Sequence, residues 1–291
     1  MPELPEVETV ARGLRAVLPG RRILRVRLGK IDFIDDPEAI ERRLPGMRVR
    51  SVERSGKFLV IALEAPDGGS PSLSLLVHLG MTGRLVACPA EVPVAPHTHV
   101  FFDLDDGREL RYTDPRRFGR MSLREDGTDQ PAPSHFSQAG LDPLETTESE
   151  FIAVIGGRSA RIKALLLDQH VLRGMGNIYT DESLWRARIH PTRIGAGLKA
   201  QELRKLYRVM QSVLREAIRF RGSSISDYVD ADGQRGWYQQ RHRVYGREGK
   251  KCPRCSAEIR REIVAGRSSY FCPRCQRAPR ARRKAKGGTK V

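Results

Sequence analysis

The sequence predicts an α+β protein: an N-terminal antiparallel β-sandwich with one helix flanking it, followed by a mainly helical domain that ends in a metal-held β-hairpin. Three observations carry this reading. Apolar residues recur at helical spacing near the N-terminus and at strand spacing from Ile23 to Leu123. Helical spacing returns from Ser149 onward, and four of the five cysteines stand in two CxxC pairs close to the C-terminus.

Taken in order, Leu4, Val7, Val10, Leu14 and Val17 define one amphipathic helix over 4–18, stopped by Pro19-Gly20. The segments ILRVRL, MRVRSVERS, FLVIALEA, SLSLLVHLG, HVFFDLDD and ELRYTD then read as strands, separated by turn signals such as PDGG (66–69) and DDG (105–107). This gives a first domain over 1–124. Residues 125–140 begin with the polar, proline-bearing EDGTDQPAPSH and read as a linker. SEFIAVI, RIKALLLDQ, NIYTDESLWRA and AQELRKLYRVMQSVLREAIRF make a helical domain over 141–222. An aperiodic stretch over 223–249 has the character of a binding loop, and 250–276 hold the cysteines.

With 291 residues and 39% apolar side chains the chain can bury a core in each of about two domains. No apolar run approaches the ~20 residues of a membrane span, and the start lacks the basic region of a signal peptide, so a cytoplasmic protein is expected. The net charge of +17 is unevenly placed. Residues 241–291 hold 17 Lys and Arg against three acids, while residues 1–240 hold 35 against 32. A basic end on a near-neutral body points to a polyanion, most simply nucleic acid. Residues 277–291 read as a basic disordered tail that binds phosphate non-specifically.

Cys252-Pro-Arg-Cys255 and Cys272-Pro-Arg-Cys275 are separated by 16 residues. Each pair can turn two thiolates onto one ion, which predicts a single structural zinc with four sulfur ligands. Disulfides are disfavoured in a reducing cytoplasm. The intervening EIRREIVAGRSSYF alternates as a hairpin with its tip at Ala265-Gly266, presenting Arg260, Arg261 and Arg267. Because an isolated hairpin is marginal, the metal supplies its folding energy. Cys88 stands alone and reads as a buried small side chain.

Five segments together carry a resemblance: PELPEVET at the start, HLGMTGRL (78–85), YTDPRRFGR (112–120), GMGNIYTDESL (174–184) and GRSSYFCPRCQ (266–276). In this order, from Pro2 to Gln276, the chain resembles the bacterial formamidopyrimidine-DNA glycosylases. The resemblance implies a β-sandwich joined to a helix-two-turns-helix domain with a zinc finger. It also implies a monomeric base-excision enzyme that removes oxidised purines, chiefly 8-oxoguanine and formamidopyrimidines, from double-stranded DNA and then cuts the abasic strand.

The first residues suit that chemistry. If Met1 is removed, Pro2 offers a secondary amine whose pKa is near ~8 rather than the ~10.4 of lysine, so roughly a tenth is free base at neutral pH. Attack on C1′ of a damaged nucleotide gives an iminium ion, an electron sink that acidifies the C2′ proton and promotes loss of the 3′ phosphate. The resemblance assigns Glu3 as the acid acting on the sugar ring oxygen. A helix N-terminus lowers a carboxyl pKa, so burial has to oppose that effect. Glu6 reads in part as a helix-dipole complement.

Excision also requires the base to leave the stack and the gap to be filled. By resemblance Met81, Arg116 and Phe118 fill it, and turn residues Gly80, Gly83, Asp114 and Pro115 place them on loops. Taken alone, Met81 and Phe118 would more often be core residues. Lys57 matches a lysine of the lyase steps and of phosphate binding, and Arg267 an arginine that contacts the backbone and serves the second elimination. His97 and Arg158 fall at family DNA contacts, and His78 and Lys163 are further phosphate candidates. Asn177 begins a helix and fits phosphate binding at its N-terminus. The loop Arg221 to Gly236 would cover the flipped base, with Ser223, Ser224, Ser226 and Tyr228 as candidates. Two rival readings are a non-catalytic zinc-finger binder of distorted DNA and an endonuclease VIII-like enzyme for oxidised pyrimidines. The PE start weighs against the first, and PELPE with the RRF wedge against the second.

Overall fold

A computed structural model of the chain describes residues 2–65, 72–127, 136, 140–224 and 228–278. The first helix, α1 (Leu4–Arg15), is followed by β1 (Ile23–Leu28), α2 (Pro37–Arg43), β2 (Arg48–Ser55), β3 (Phe58–Glu64), β4 (Leu73–His78), β5 (Arg84–Pro89), β6 (Thr98–Leu104), β7 (Arg108–Thr113) and β8 (Arg120–Glu125). The strands form two antiparallel four-stranded sheets, ordered β1-β6-β7-β5 and β2-β3-β4-β8. Their inner faces share one core, in which Val26, Phe102 and Tyr112 of the first sheet meet Val52, Ile61, Val77 and Met121 of the second. This is the expected sandwich. The PDGG turn and most of the 125–140 segment lie outside the described residues. Phe136, which is described, is buried with its ring centroid 5.0 Å from that of Phe58.

Two features depart from the sequence reading. The first helix ends at Arg15, and a tighter turn carries Val17 and Leu18 back onto the Leu14 carbonyl before Gly20 reverses the chain. Helix α2 was not expected at all. Asp36 caps it by accepting from the Ala39 N–H at 2.9 Å and Pro37 opens it, but Ile40 is its one buried residue, so no apolar period announces it.

The second half packs α3 (Glu148–Gly156), α4 (Ile162–Leu167), α5 (Asn177–Ala187) and α6 (Ala200–Arg219) around a separate core that includes Phe151, Leu166, Tyr179, Leu206 and Leu214. A two-stranded hairpin, β9 (Arg260–Val264) with β10 (Arg267–Phe271), follows the long aperiodic stretch. Its tip is Ala265-Gly266, both at positive φ, as a tight two-residue hairpin turn requires. Among the described residues no helix is long and apolar enough to cross a membrane.

Helix α1 belongs to both cores. Val7, Val10, Ala11 and Leu14 pack into the sandwich, whereas Leu4 packs into the helical core. Gly174, at φ +90, lies so close that an added Cβ would sit 2.9 Å from Leu4, and the Leu4 N–H donates to the Gly174 carbonyl at 2.9 Å. A charged seam adds to this junction. The buried Arg54 guanidinium donates to Glu8 of α1 at 3.1 Å and to Asp142 of the helical half at 2.6 Å. Removing one partner of a buried ion pair strands the other charges. Arg54→Met is therefore expected to lower stability by about 3–5 kcal/mol, measured by equilibrium denaturation; a loss within about 1 kcal/mol, roughly that of an exposed pair, would contradict the seam.

Candidate active site and nucleic-acid interface

The first turn of α1 delivers Glu3 to the beginning of α5. The Glu3 carboxylate accepts from the backbone N–H of Ile178 at 2.9 Å and of Tyr179 at 3.3 Å, two of the free donors at that helix N-terminus. Gly176 makes the approach possible, since a Cβ there would lie 2.2 Å from the Glu3 carboxyl carbon. The sequence reading assigned these helix donors to phosphate, and the structure gives Ile178 and Tyr179 to Glu3 instead. Pro2, next to Glu3, is buried, and Met1 lies outside the described residues.

Glu6 sits one turn on and is more deeply engaged than a helix-dipole complement. It accepts from the Glu3 N–H at 2.9 Å, from the Ser223 N–H at 2.7 Å and from the Tyr179 hydroxyl. The signal in the sequence was its spacing, since Glu6 lies four residues before the core residue Val10. Burial raises the Glu3 carboxyl, and the Lys57 ammonium and the two helix N–H groups offset only part of that rise. Burial, with the Glu3 charge second, pushes Glu6 up to about 7.

Lys57 arrives on the two-residue turn between β2 and β3, where Ser55 pairs with Phe58. Gly56 takes the turn at φ +60, 3.2 Å by its would-be Cβ from Arg173 of the helical half. Burial lowers the Lys57 pKa; the charge of Glu3 opposes the shift and that of Arg267 adds to it. Lys57 thus lies within electrostatic reach of both Glu3 and Arg267, with Pro2 attached to Glu3 by one peptide bond.

Arg267 is aimed by a brace that the sequence did not reveal. The Ser268 carbonyl accepts from Lys163 Nζ at 2.8 Å and from Asn177 Nδ2 at 2.8 Å, and the Tyr270 N–H donates to Asp181 at 2.9 Å. Lys163 also pairs with Asp181 at 2.7 Å and is 0% exposed. This corrects the phosphate role read for Lys163: its ammonium is spent inside the protein, locking the hairpin to α4 and α5. Asp181 could have been suspected from its position between Ile178 and Leu184, on the apolar spacing of α5.

At the same end of the sandwich, Met81 and Phe118 are 40% and 53% exposed, unusual for large apolar side chains and contrary to a core role. Their loops touch backbone to backbone: a Cβ on Gly80 would meet Phe118 at 2.4 Å. Asp114 ties the two loops together, accepting from the Thr82 hydroxyl at 2.5 Å and the Gly119 N–H at 2.9 Å. Arg116 lies over the Phe118 ring at 4.3 Å, and the exposed His97 accepts, through its carbonyl, from the Asp114 N–H. His78 stacks near Phe58, with ring centroids 4.9 Å apart, and receives the Gly80 N–H on Nδ1. Arg158 stands apart on the loop after α3, donating to the Val154 carbonyl at 3.2 Å.

Of the loop candidates, Ser223 shares hydrogen bonds with Tyr179 and His242, Ser224 donates to the Tyr228 carbonyl, and the Tyr228 hydroxyl donates to the Glu6 carbonyl. All three face inward; Ser226 lies outside the described residues. Cys88 is half-buried on β5 rather than fully buried.

The four paired cysteines converge. The Sγ atoms of Cys255 and Cys272 are 3.4 Å apart and those of Cys252 and Cys275 4.0 Å, with all four inside 4.8 Å. A tetrahedral zinc with bonds of about 2.3 Å sets its sulfurs about 3.8 Å apart, whereas a disulfide needs about 2 Å. The set fits one structural zinc, which ties the two turns at the base of the hairpin.

Comparison with known proteins identifies the three parts of the chain. The formamidopyrimidine-DNA glycosylase N-terminal domain matches residues 1–121, the H2TH domain of that enzyme residues 139–229, and a zinc finger found in FPG and IleRS residues 249–278. The formamidopyrimidine-DNA glycosylase of Pelotomaculum thermopropionicum is 45% identical over 91% of this chain and 95% of its own, and that of Solibacter usitatus 44% over the same shares. Among solved structures, the MutM (FPG) protein from Thermus thermophilus superposes with a TM-score of 0.82 at 40% identity, covering 94% of this chain and 98% of that one. A Lactococcus lactis FPG mutant in complex with Fapy-dG-containing DNA gives 0.84 at 33% identity, covering 95% and 100%.

Two outcomes follow from the geometry. A carboxyl with a raised folded-state pKa contributes its stability below the unfolded value, here 4.5, and loses it as pH rises through about 7. Relative to Glu6→Gln, which does not titrate, the wild-type protein should lose up to about 3 kcal/mol between those limits; denaturation at a series of pH values checks this, and a relative gain would refute the shift. Chelation should release one zinc per chain. Trp185 packs beside Cys252 while Trp237 is exposed, so in a Trp237→Phe background the emission should shift to the red as zinc leaves.

Proposed function

The chain belongs to the formamidopyrimidine-DNA glycosylase family, and as a DNA glycosylase of base excision repair we propose that it works through the amine of Pro2. One observation supports the residue assignment: Glu3, the residue after Pro2, is bound at the start of α5, and Lys57 lies within electrostatic reach of both Glu3 and Arg267. The enzyme takes double-stranded DNA containing oxidised bases and acts as a monomer, since one chain supplies every group named. Its place is the bacterial cytoplasm, on the nucleoid.

The amine attacks C1′ as the bond to the damaged base breaks, its N–H proton passing to the departing base, and Glu3 delivers a proton to O4′ as the C1′–O4′ bond opens. Its raised pKa supports this acid role despite the two helix donors. The resulting iminium draws electrons from the C2′–H bond, and a base takes that proton as the 3′ phosphate departs. Lys57, whose pKa burial lowers, gives up its proton more readily than an exposed lysine in such transfers, and as a cation it holds phosphate. Arg267 holds the backbone and serves the second elimination. Met81, Arg116 and Phe118, exposed on loops clipped by Asp114, enter the gap left by the flipped nucleotide, and Arg116 reads the orphaned base. His97, His78, Asn177 and Arg158 are further DNA contacts.

Oxidised purines are the proposed substrates, chiefly 8-oxoguanine and formamidopyrimidines. A Lactococcus lactis Fpg has also been solved with DNA containing an oxidised pyrimidine, covering 95% of this chain at 30% identity, so the pyrimidine reading stays as a second activity to measure.

Borohydride should trap a covalent adduct on a duplex carrying 8-oxoguanine opposite cytosine. An N-terminally extended protein should form none, and Pro2→Gly, with a primary amine, should form it at least about tenfold more slowly. An unchanged adduct in the extended protein would sink the N-terminal mechanism. A dihydrouracil duplex run in parallel measures the pyrimidine activity.

A further inference from the structure

A second concentration of cations lies away from Glu3. A cavity of about 500 Å³ opens between the end of α5 and the two cysteine turns, and Arg188, Arg193, Arg254, Arg274 and Arg277 line it. Among the described residues, only Arg193 of these five has a carboxylate partner, Glu202 at 3.0 Å. Arg254 is held flat, 4.1 Å from the centre of the Trp185 ring, with Nη1 donating to the Trp185 carbonyl. Arg188 takes a left-handed conformation, φ 64 and ψ 35, that favours glycine and disfavours any side chain. The four other than Arg193 carry like charges around one hollow with no carboxylate partner among the described residues, an arrangement that an anion would relieve. All five are arginine and none is lysine, the choice that suits forked hydrogen bonding to phosphate.

A neighbouring cavity of about 720 Å³ shares Arg188 and is lined along α6 by Glu202, Arg204, Lys205 and Arg208, of which Arg204 and Arg208 also pair with Glu148. A single phosphate fills a fraction of the two cavities, whereas successive phosphates of one strand suit both. The place of the first cavity is also distinct. Helix α5 holds Glu3 at its N-terminus and lines the cavity with its other end, and its 11 residues span about 16 Å.

We propose that these two cavities form an accessory site for the phosphates of a second nucleic-acid segment, bound while a lesion duplex occupies the site at Glu3. The test uses full-length, zinc-loaded protein saturated with a short duplex bearing an abasic analogue. A labelled, undamaged single strand is then titrated in, and its anisotropy is followed at several salt concentrations. The wild type should bind it. A variant with Arg188→Gly, Arg274→Ala and Arg277→Ala should bind at least tenfold more weakly, with a salt slope shallower by about 2, since each phosphate contact on a single strand contributes about 0.7.

Cleavage of the short lesion duplex should stay within twofold, which separates this proposal from the mechanism at Pro2. Arg188→Gly relieves a left-handed side chain, and zinc content with a melting curve checks the fold. Should the triple variant melt early, Arg274→Ala alone, on an exposed turn, should still weaken the strand about threefold and carries the test. Tripolyphosphate tells the source: displacement of the strand while the duplex stays bound means that free phosphate chains also use the site, and no displacement assigns it to nucleic acid alone. Equal strand affinity in wild type and variants, no strand binding to the duplex-saturated protein, or a parallel loss of lesion cleavage would overturn the proposal.

Discussion

The arrangement depends on one constraint: the first turn of α1 has to satisfy both halves of the molecule at once. Leu4 is buried in the helical core, the residues from Val7 onward in the sandwich, and Glu3 occupies the free N–H groups of α5. A carboxylate at a helix N-terminus is favourable, but here it is also stripped of water, and the two effects act in opposite directions on its proton. Burial prevails at Glu3 and again at Glu6. The same turn that joins the domains therefore carries two carboxyls held closer to neutrality than exposed glutamates would be.

The hairpin shows how charge is aimed rather than merely accumulated. Zinc can close the base, but a metal at one end leaves the tip free to swing. The Ser268 carbonyl, bound by both Lys163 and Asn177, and the Tyr270 N–H, bound by Asp181, fix the strand that bears Arg267. A lysine and an aspartate buried together cost desolvation, and here the cost secures direction, because each also satisfies a backbone group of the hairpin. The wedge follows the same logic with a different donor set. Asp114 collects hydroxyl and amide donors from two loops, so Met81 and Phe118 can remain exposed without their loops being loose.

Much of this was legible in the sequence. The change of apolar spacing from helix to strand and back reported the two cores, because period is a local property set by which face is buried. The cysteine spacing reported the metal, and five short motifs reported the family. What was illegible has a common cause. Helix α2 buries a single side chain and leaves no period; Arg54 and Asp142 meet across 88 positions of chain; Lys163 has the composition of a surface contact and the environment of a core residue. Whether a charged side chain faces solvent or another element depends on what packs over it.

By itself the sequence determined most of the secondary structure, the zinc ligands and a proline followed by a glutamate at positions 2 and 3, since each rests on nearest neighbours or on fixed spacing. Only the tertiary structure decided that Glu3 takes the α5 donors, that Glu6 is a buried junction rather than a helix ornament, and that Lys163 aims an arginine instead of binding phosphate. The physical reason is that burial and partner choice are set by contacts between residues far apart in the chain, and those contacts govern both the protonation of a carboxyl and the direction in which a cation points.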